Sequence, residues 1–174
     1  MDVTVLGPQS LKLKGKKSSL IINPTAGISK TEAEGIIITN DYEDKNYSKV
    51  EGQRIVITGA GEYEVGGTKI SATEQEEKLV CLIDLDNVKL LIGEGASIEK
   101  VYEKIENCNV VVAYVDQDFN DGVLSKIEPN VILLFGDKKE EVGKALGKDN
   151  LEKTTKYSVT AEKLPEDLQV YLLG

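Results

Sequence analysis

Histidine is absent from all 174 residues of this chain. Without imidazole, no Ser–His or Cys–His nucleophile can be assembled, and a metal centre would need thiolate or carboxylate ligands. Cysteine is scarce too, with only Cys81 and Cys108 present. Cys81 falls in an apolar strand-like run and Cys108 at the end of an expected helix. They make neither a disulfide framework nor a ligand cluster, and a reduced, cytoplasmic setting fits. Basic residues are outnumbered, 21 against 30 acidic ones, for a net charge of −9. That excludes the clustered cationic footprint on which nucleic-acid binding depends. No basic-then-apolar leader opens at Met1, and no run approaches the ~18 apolar residues of a membrane span, so neither secretion nor a membrane partner is expected.

A chain of this length is expected to form one domain over residues 1–174, burying roughly 70% of its unfolded surface without help from a metal or disulfide. Its first half reads as strands: Val3–Leu6, Leu11–Lys14, Ser19–Ile22, Ile36–Thr39 and Arg54–Ile57. Lys12, Lys14, Lys16 and Lys17 alternate with Leu11 and Leu13 and read as the wet face of an edge hairpin. Ile36–Thr39 and Arg54–Ile57 are continuous apolar runs of the kind buried on both faces. Gly66-Gly67 predicts a two-residue hairpin turn, and Leu85-Asp86-Asn87 a second tight turn.

The second half alternates helix and strand. Ile98, Val101, Tyr102 and Ile105 share one helical face, with Ser97 placed as the N-cap. Val110–Val115 and Val131–Phe135 are buried strands, between which Asp121 is expected to cap a short helix ended by Pro129. Val142, Ala145 and Leu146 mark a third helix closing at Gly147. Antiparallel strands first and β-α-β units later predict an α/β (α+β) sandwich of two mixed sheets with helices outside. Gly59-Ala60-Gly61 lacks the further glycine and the following helix of a dinucleotide site. Cys81 and the tyrosines Tyr63 and Tyr102 read as packing residues.

The segment Thr39-Asn40-Asp41-Tyr42-Glu43-Asp44-Lys45, directly after Ile36-Ile37-Ile38, carries a resemblance. It looks like the Thr-His-x-His-x-Asp-His loop of the metallo-β-lactamase superfamily, with Asn40, Tyr42 and Lys45 at the histidine positions. Leu6-Gly7-Pro8-Gln9-Ser10, Ile22-Asn23-Pro24, Gly61-Glu62-Tyr63-Glu64 before Gly66-Gly67, Gly93-Glu94, Glu128-Pro129 and Leu164-Pro165-Glu166 follow in the order of the small UlaG-type relatives. Glu94 stands where that family has a metal-bridging Asp, and Gly136 where it has a late histidine. The resemblance implies an αββα sandwich of two mixed sheets flanked by helices, and an assembly of identical chains.

Asn40, Tyr42, Asp44, Lys45, Glu94 and Gly136 are therefore the degenerate metal-site positions. Asn40 offers a neutral oxygen, Tyr42 is protonated at neutral pH and Gly136 offers nothing. Lys45 would repel a divalent ion, and its ammonium is expected to take the metal's place between Asp44 and Glu94. The function expected is a binding or assembly module on a zinc-hydrolase scaffold, without cofactor. One alternative is a hydrolase holding Mg²⁺ or Mn²⁺ through Asp41, Glu43, Asp44 and Glu94, and another is a small-molecule binder using the vacated pocket.

Overall fold

In a computed structural model, which describes residues 1–148 and 151–174, two mixed sheets pack face to face. The strands are, in chain order, β1 (Asp2–Val5), β2 (Leu11–Lys14), β3 (Ser19–Ile22), β4 (Thr31–Glu32), β5 (Gly35–Ile37), β6 (Val50–Glu51), β7 (Ile55–Ile57), β8 (Gly61–Val65), β9 (Thr68–Gln75), β10 (Lys78–Leu85) and β11 (Val88–Glu94). Helix α1 (Gly95–Val101) then runs into a 3₁₀ turn at Tyr102–Lys104. It is followed by β12 (Val110–Tyr114), α2 (Gly122–Lys126), β13 (Val131–Phe135), α3 (Lys139–Ala145), β14 (Glu152–Thr154), β15 (Lys156–Ser158) and β16 (Gln169–Leu173). The first sheet has the order β15-β1-β2-β3-β5-β7 and the second β14-β16-β13-β12-β11-β10-β9-β8. The first mixes antiparallel and parallel pairs, and the second is parallel from β14 to β11 and antiparallel beyond.

The main core lies between the sheets, where alternate residues such as Val3, Leu11, Leu13 and Leu20 meet Ile70, Ile83, Leu90, Val110 and Leu133. Each such side chain taken fully out of water stabilises by roughly 1.5–3 kcal/mol. A second cluster, including Leu91, Val111, Ile132, Ile98, Val123 and Val142, joins the other face of the second sheet to the three helices. The outer face of the first sheet is covered differently. Ile21, Ile28, Ala33, Ile36, Ile38 and Val50 sit there, with Leu6, Tyr42 and Tyr47 packed on them. The cover is loop and the small β4–β6 ladder, where the sandwich was expected to have helix. The segments on either side of β5, residues 24–34 and 38–54, hold Pro24, Gly27 and Gly52 and no helical apolar period, so they cover the sheet in irregular form.

Three antiparallel connections in the second sheet are two-residue turns with both central residues at positive φ. Gly66-Gly67 (56° and 84°) and Asp86-Asn87 (57° and 63°) carry the residues such turns favour. Glu76-Glu77 (50° and 64°), between β9 and β10, does not.

Several local expectations need correction. Strand β2 lies inside its sheet between β1 and β3, although its lysines do face outward. β7 is an edge strand with Val56 exposed, so Arg54–Ile57 is not buried on both faces. Helix α1 begins two residues before Ser97, which is buried in its first turn while Glu94 holds the N-cap position without a side-chain cap. Asp121 precedes α2 but makes no capping hydrogen bond, its own backbone being helical.

Candidate functional site

The carboxyl ends of β11 and β12, the start of β10 and the loop after β5 converge on a cleft of about 420 Å³. Ends of parallel strands are where open α/β sheets leave room for a site. Gln9, Asn40, Asp41, Tyr42, Lys78, Glu94, Tyr114, Asp116 and Gln117 line it, with Glu76 and Glu77 at one side. A smaller recess of about 220 Å³ continues past Asn40, Asp41 and Glu77 toward Lys45, Thr58 and Glu74.

The first-sheet wall is held by a buried polar stitch. Asn23, at φ 47° before Pro24, accepts from the Thr39 backbone N–H through Oδ1 at 2.8 Å and donates from Nδ2 to Thr39 Oγ1 at 2.7 Å. Ser10 Oγ donates to Asn23 O at 2.7 Å, and the Leu79 N–H donates to Thr39 O at 2.7 Å. Leu79 opens onto β10, so Thr39 ties the two sheets together beside Lys78. Every polar atom of this stitch is partnered, as burial requires.

Beyond Thr39 the loop borders the cleft through Asn40, Asp41 and Tyr42 and leaves it only after them. The Tyr42 hydroxyl donates to Pro24 O at 2.8 Å and its ring packs on the outer cluster. Burial raises its hydroxyl's pKa well above the ordinary tyrosine range. Lys45 Nζ pairs with Asp41 Oδ1 at 2.6 Å and lies 5.7 Å from the Tyr42 ring centroid. That contact lowers the Asp41 pKa and raises that of Lys45. The expected cluster of Lys45 with Asp44 and Glu94 is therefore not formed. Asp44 and Glu43 are exposed, and the four carboxylates of the Mg²⁺/Mn²⁺ alternative do not gather.

The cation beside Glu94 is Lys78. Its Nζ lies 2.5 Å from Glu94 Oε2, with the Glu94 side chain only 13% exposed. A charge-assisted bond at this depth is stronger than a surface pair. Lys100 adds a second link from α1 to Glu76. The Glu76-Glu77-Lys78 tip is thus strapped across the cleft to the end of β11 and to α1.

Gly136 has a structural reason. At φ 114°, a Cβ there would lie 2.5 Å from Asp116 Oδ1 and 3.0 Å from Val115 N. Asp116 Oδ1 meanwhile accepts from the Asp137 N–H at 2.6 Å. A carboxylate from the neighbouring strand end fills the room a side chain would need. Next to it stands Tyr114, its ring 5.7 Å from Phe135. Burial first, and the nearby Asp116 second, raise the Tyr114 pKa.

Of the expected positions, Asn40, Tyr42 and Glu94 line the cleft, whereas Asp44, Lys45 and Gly136 do not. Lys78, Tyr114 and Asp116 were missed. Tyr114 and Asp116 carried a usable signal, since they end a strand inferred to be parallel. Among the described residues, no three carboxylate or thiol side chains are grouped as a metal site, and no helix is long and apolar enough to cross a membrane.

No protein-family model matches the sequence, and no curated protein matches it. Solved structures do match. A proposed Zn-dependent hydrolase of the metallo-β-lactamase superfamily from Thermotoga maritima aligns with a TM-score of 0.79 at 18% identity, over 99% of this chain and 98% of its own. A proposed metal-dependent hydrolase from Parabacteroides distasonis gives 0.67 at 14%, over 99% and 93%. An isothiocyanate hydrolase from Delia radicum gut bacteria gives 0.60 at 11%, over 98% and 96%. Identities this low speak to architecture alone, and the architecture of this chain is metallo-β-lactamase-like.

Proposed function

We propose that this protein is a non-catalytic relative of the small UlaG-like metallo-β-lactamase-fold hydrolases, with the zinc-binding histidines replaced. It acts in the cytoplasm as a binding or assembly module, as a homo-oligomer. The observation that carries this reading is the Lys78 ammonium 2.5 Å from Glu94, the most enclosed carboxylate at the former metal position. Zinc, the ion the fold implies, does not fit the residues present. Its ligands are imidazole, thiolate and carboxylate. Here Glu94 is engaged by a cation, Asn40 is neutral, Tyr42 is turned onto Pro24, and the place of the late ligand is closed by Asp116.

The test is elemental analysis of protein purified without chelator, alongside light scattering on a sizing column. Substoichiometric metal and a defined oligomer are the expected results. A stoichiometric divalent metal, lost on Glu94→Gln, would overturn the non-catalytic reading. A monomer at all concentrations would remove the oligomer from it.

A further inference from the structure

We infer that the cleft is a binding site for a small, uncharged polyhydroxylated molecule of the monosaccharide or alditol class. The inference rests on the non-catalytic reading, since it requires a cleft with no resident metal. A volume of about 420 Å³ lies within the roughly 300–1,000 Å³ of small-molecule sites. The lining then decides what fits.

An anionic ligand needs an uncommitted cation. Among the described residues, the lysine that lines the cleft, Lys78, is engaged by Glu94, and nearby Lys100 is engaged by Glu76 and Lys45 by Asp41. Glu77 and Asp116 add negative charge to the same walls. A phosphorylated or carboxylated molecule would meet repulsion without compensation. An apolar ligand fares no better, because the lining side chains are almost all polar.

What remains on offer is donors and acceptors side by side. Gln9, Asn40 and Gln117 each carry both in one amide, and Tyr114 carries both in one hydroxyl. The Lys78–Glu94 pair extends the pattern. An ammonium has three N–H donors and a carboxylate about four acceptor positions, so one mutual bond leaves both with capacity to spare. Vicinal hydroxyl groups, each donor and acceptor at once, are the chemistry that satisfies such a lining. The Glu76-Glu77 turn points the same way. At the other two-residue turns of this sheet, Gly66-Gly67 and Asp86-Asn87 suit positive φ. Here two glutamates accept the strain, and both line the cleft.

The test is ligand-observed NMR on the full chain with D-ribose, D-glucose and xylitol, set against ribose 5-phosphate, gluconate and spermidine. Saturable binding of a neutral probe in the millimolar range is expected, with its phosphorylated counterpart at least about tenfold weaker. Gln9→Leu with Gln117→Leu, which alter exposed and half-buried side chains, should weaken that binding about tenfold while leaving the melting temperature unchanged. No saturable neutral binding, equal binding by the double variant, tighter binding of the phosphate, or spermidine as the preferred probe would each overturn the inference. Metal content measured on the same preparation separates the outcomes. Stoichiometric metal overturns the non-catalytic reading, whereas metal-free protein that ignores sugars overturns the ligand assignment alone.

Discussion

The two walls of the cleft are furnished with the same kinds of residue and use them oppositely. On the first-sheet wall, Lys45 reaches back to Asp41, whose side chain is 91% exposed, and Tyr42 is turned onto the Pro24 carbonyl. On the second-sheet wall, Lys78 reaches inward to a Glu94 that is 13% exposed, and Asp116 is fastened by the Asp137 N–H. One wall has relaxed toward solvent, while the other keeps its charges in place by pairing them. Burial makes the difference. A pair facing water gains little from its geometry, whereas a partly enclosed carboxylate left alone is costly. The exposed first wall is therefore held loosely, whereas the enclosed Glu94 of the second keeps a cation beside it.

Substitutions that press on this contrast should rank accordingly. Gly136→Ala forces a Cβ against Asp116 at positive φ and should cost about 2–4 kcal/mol in urea denaturation. A smaller loss would mean that the Asp116 loop yields and the second wall is less rigid than described. Asn23→Ala removes two of the hydrogen bonds that hold Thr39 in a buried setting and should cost about 1–3 kcal/mol. Its size measures how much of the first wall's placement comes from below.

Lys78→Met should cost about 1–3 kcal/mol by leaving Glu94 unpaired, and adding Glu94→Gln should recover most of it. Additive losses would show that the two side chains do not act as a pair. Glu77→Gly should stabilise, by up to about 1 kcal/mol, because glycine removes the left-handed penalty at φ 64°. Lys45→Ala should leave the denaturation midpoint unchanged while the Asp41 carboxyl, followed by NMR, returns upward to its ordinary titration range. A lost midpoint would move Lys45 from the relaxed wall to the braced one.

Much of this was legible from residue patterns. The Gly66-Gly67 and Asp86-Asn87 turns announce themselves because few residues tolerate positive φ, and the apolar runs mark the buried strands of the second sheet. The position of Glu94 in the cleft was legible too, by resemblance. The pairing with Lys78 was not, because the Glu76-Glu77 turn has none of the glycine or asparagine that signals such a turn. A route existed from the opposite end. Counting the β10–β11 ladder outward from Leu85↔Val88 brings residue 79 opposite residue 94, and hence Lys78 to its side. Lys45 misled because chain proximity to Asp44 suggested contact, while its partner Asp41 lies one helical turn back in sequence. The loop cover of the first sheet was illegible for another reason. The segments on either side of β5 bury scattered apolar side chains without a period, and pattern reading depends on period.

The pairing of β1 with β15, Val3 against Tyr157, has a kinetic side. The meander from β8 to β11 needs only neighbouring residues and can zip from its tight turns, but the first sheet closes by joining segments at opposite ends of the described chain. Such distant contacts form slowly because loop entropy must be surrendered before they are rewarded. A chain emerging from the ribosome would hold the second sheet's hairpins early and carry β1 with one edge open until β15 arrives. Destabilising changes at the β1–β15 seam should then register in the unfolding rate and leave the folding rate nearly untouched.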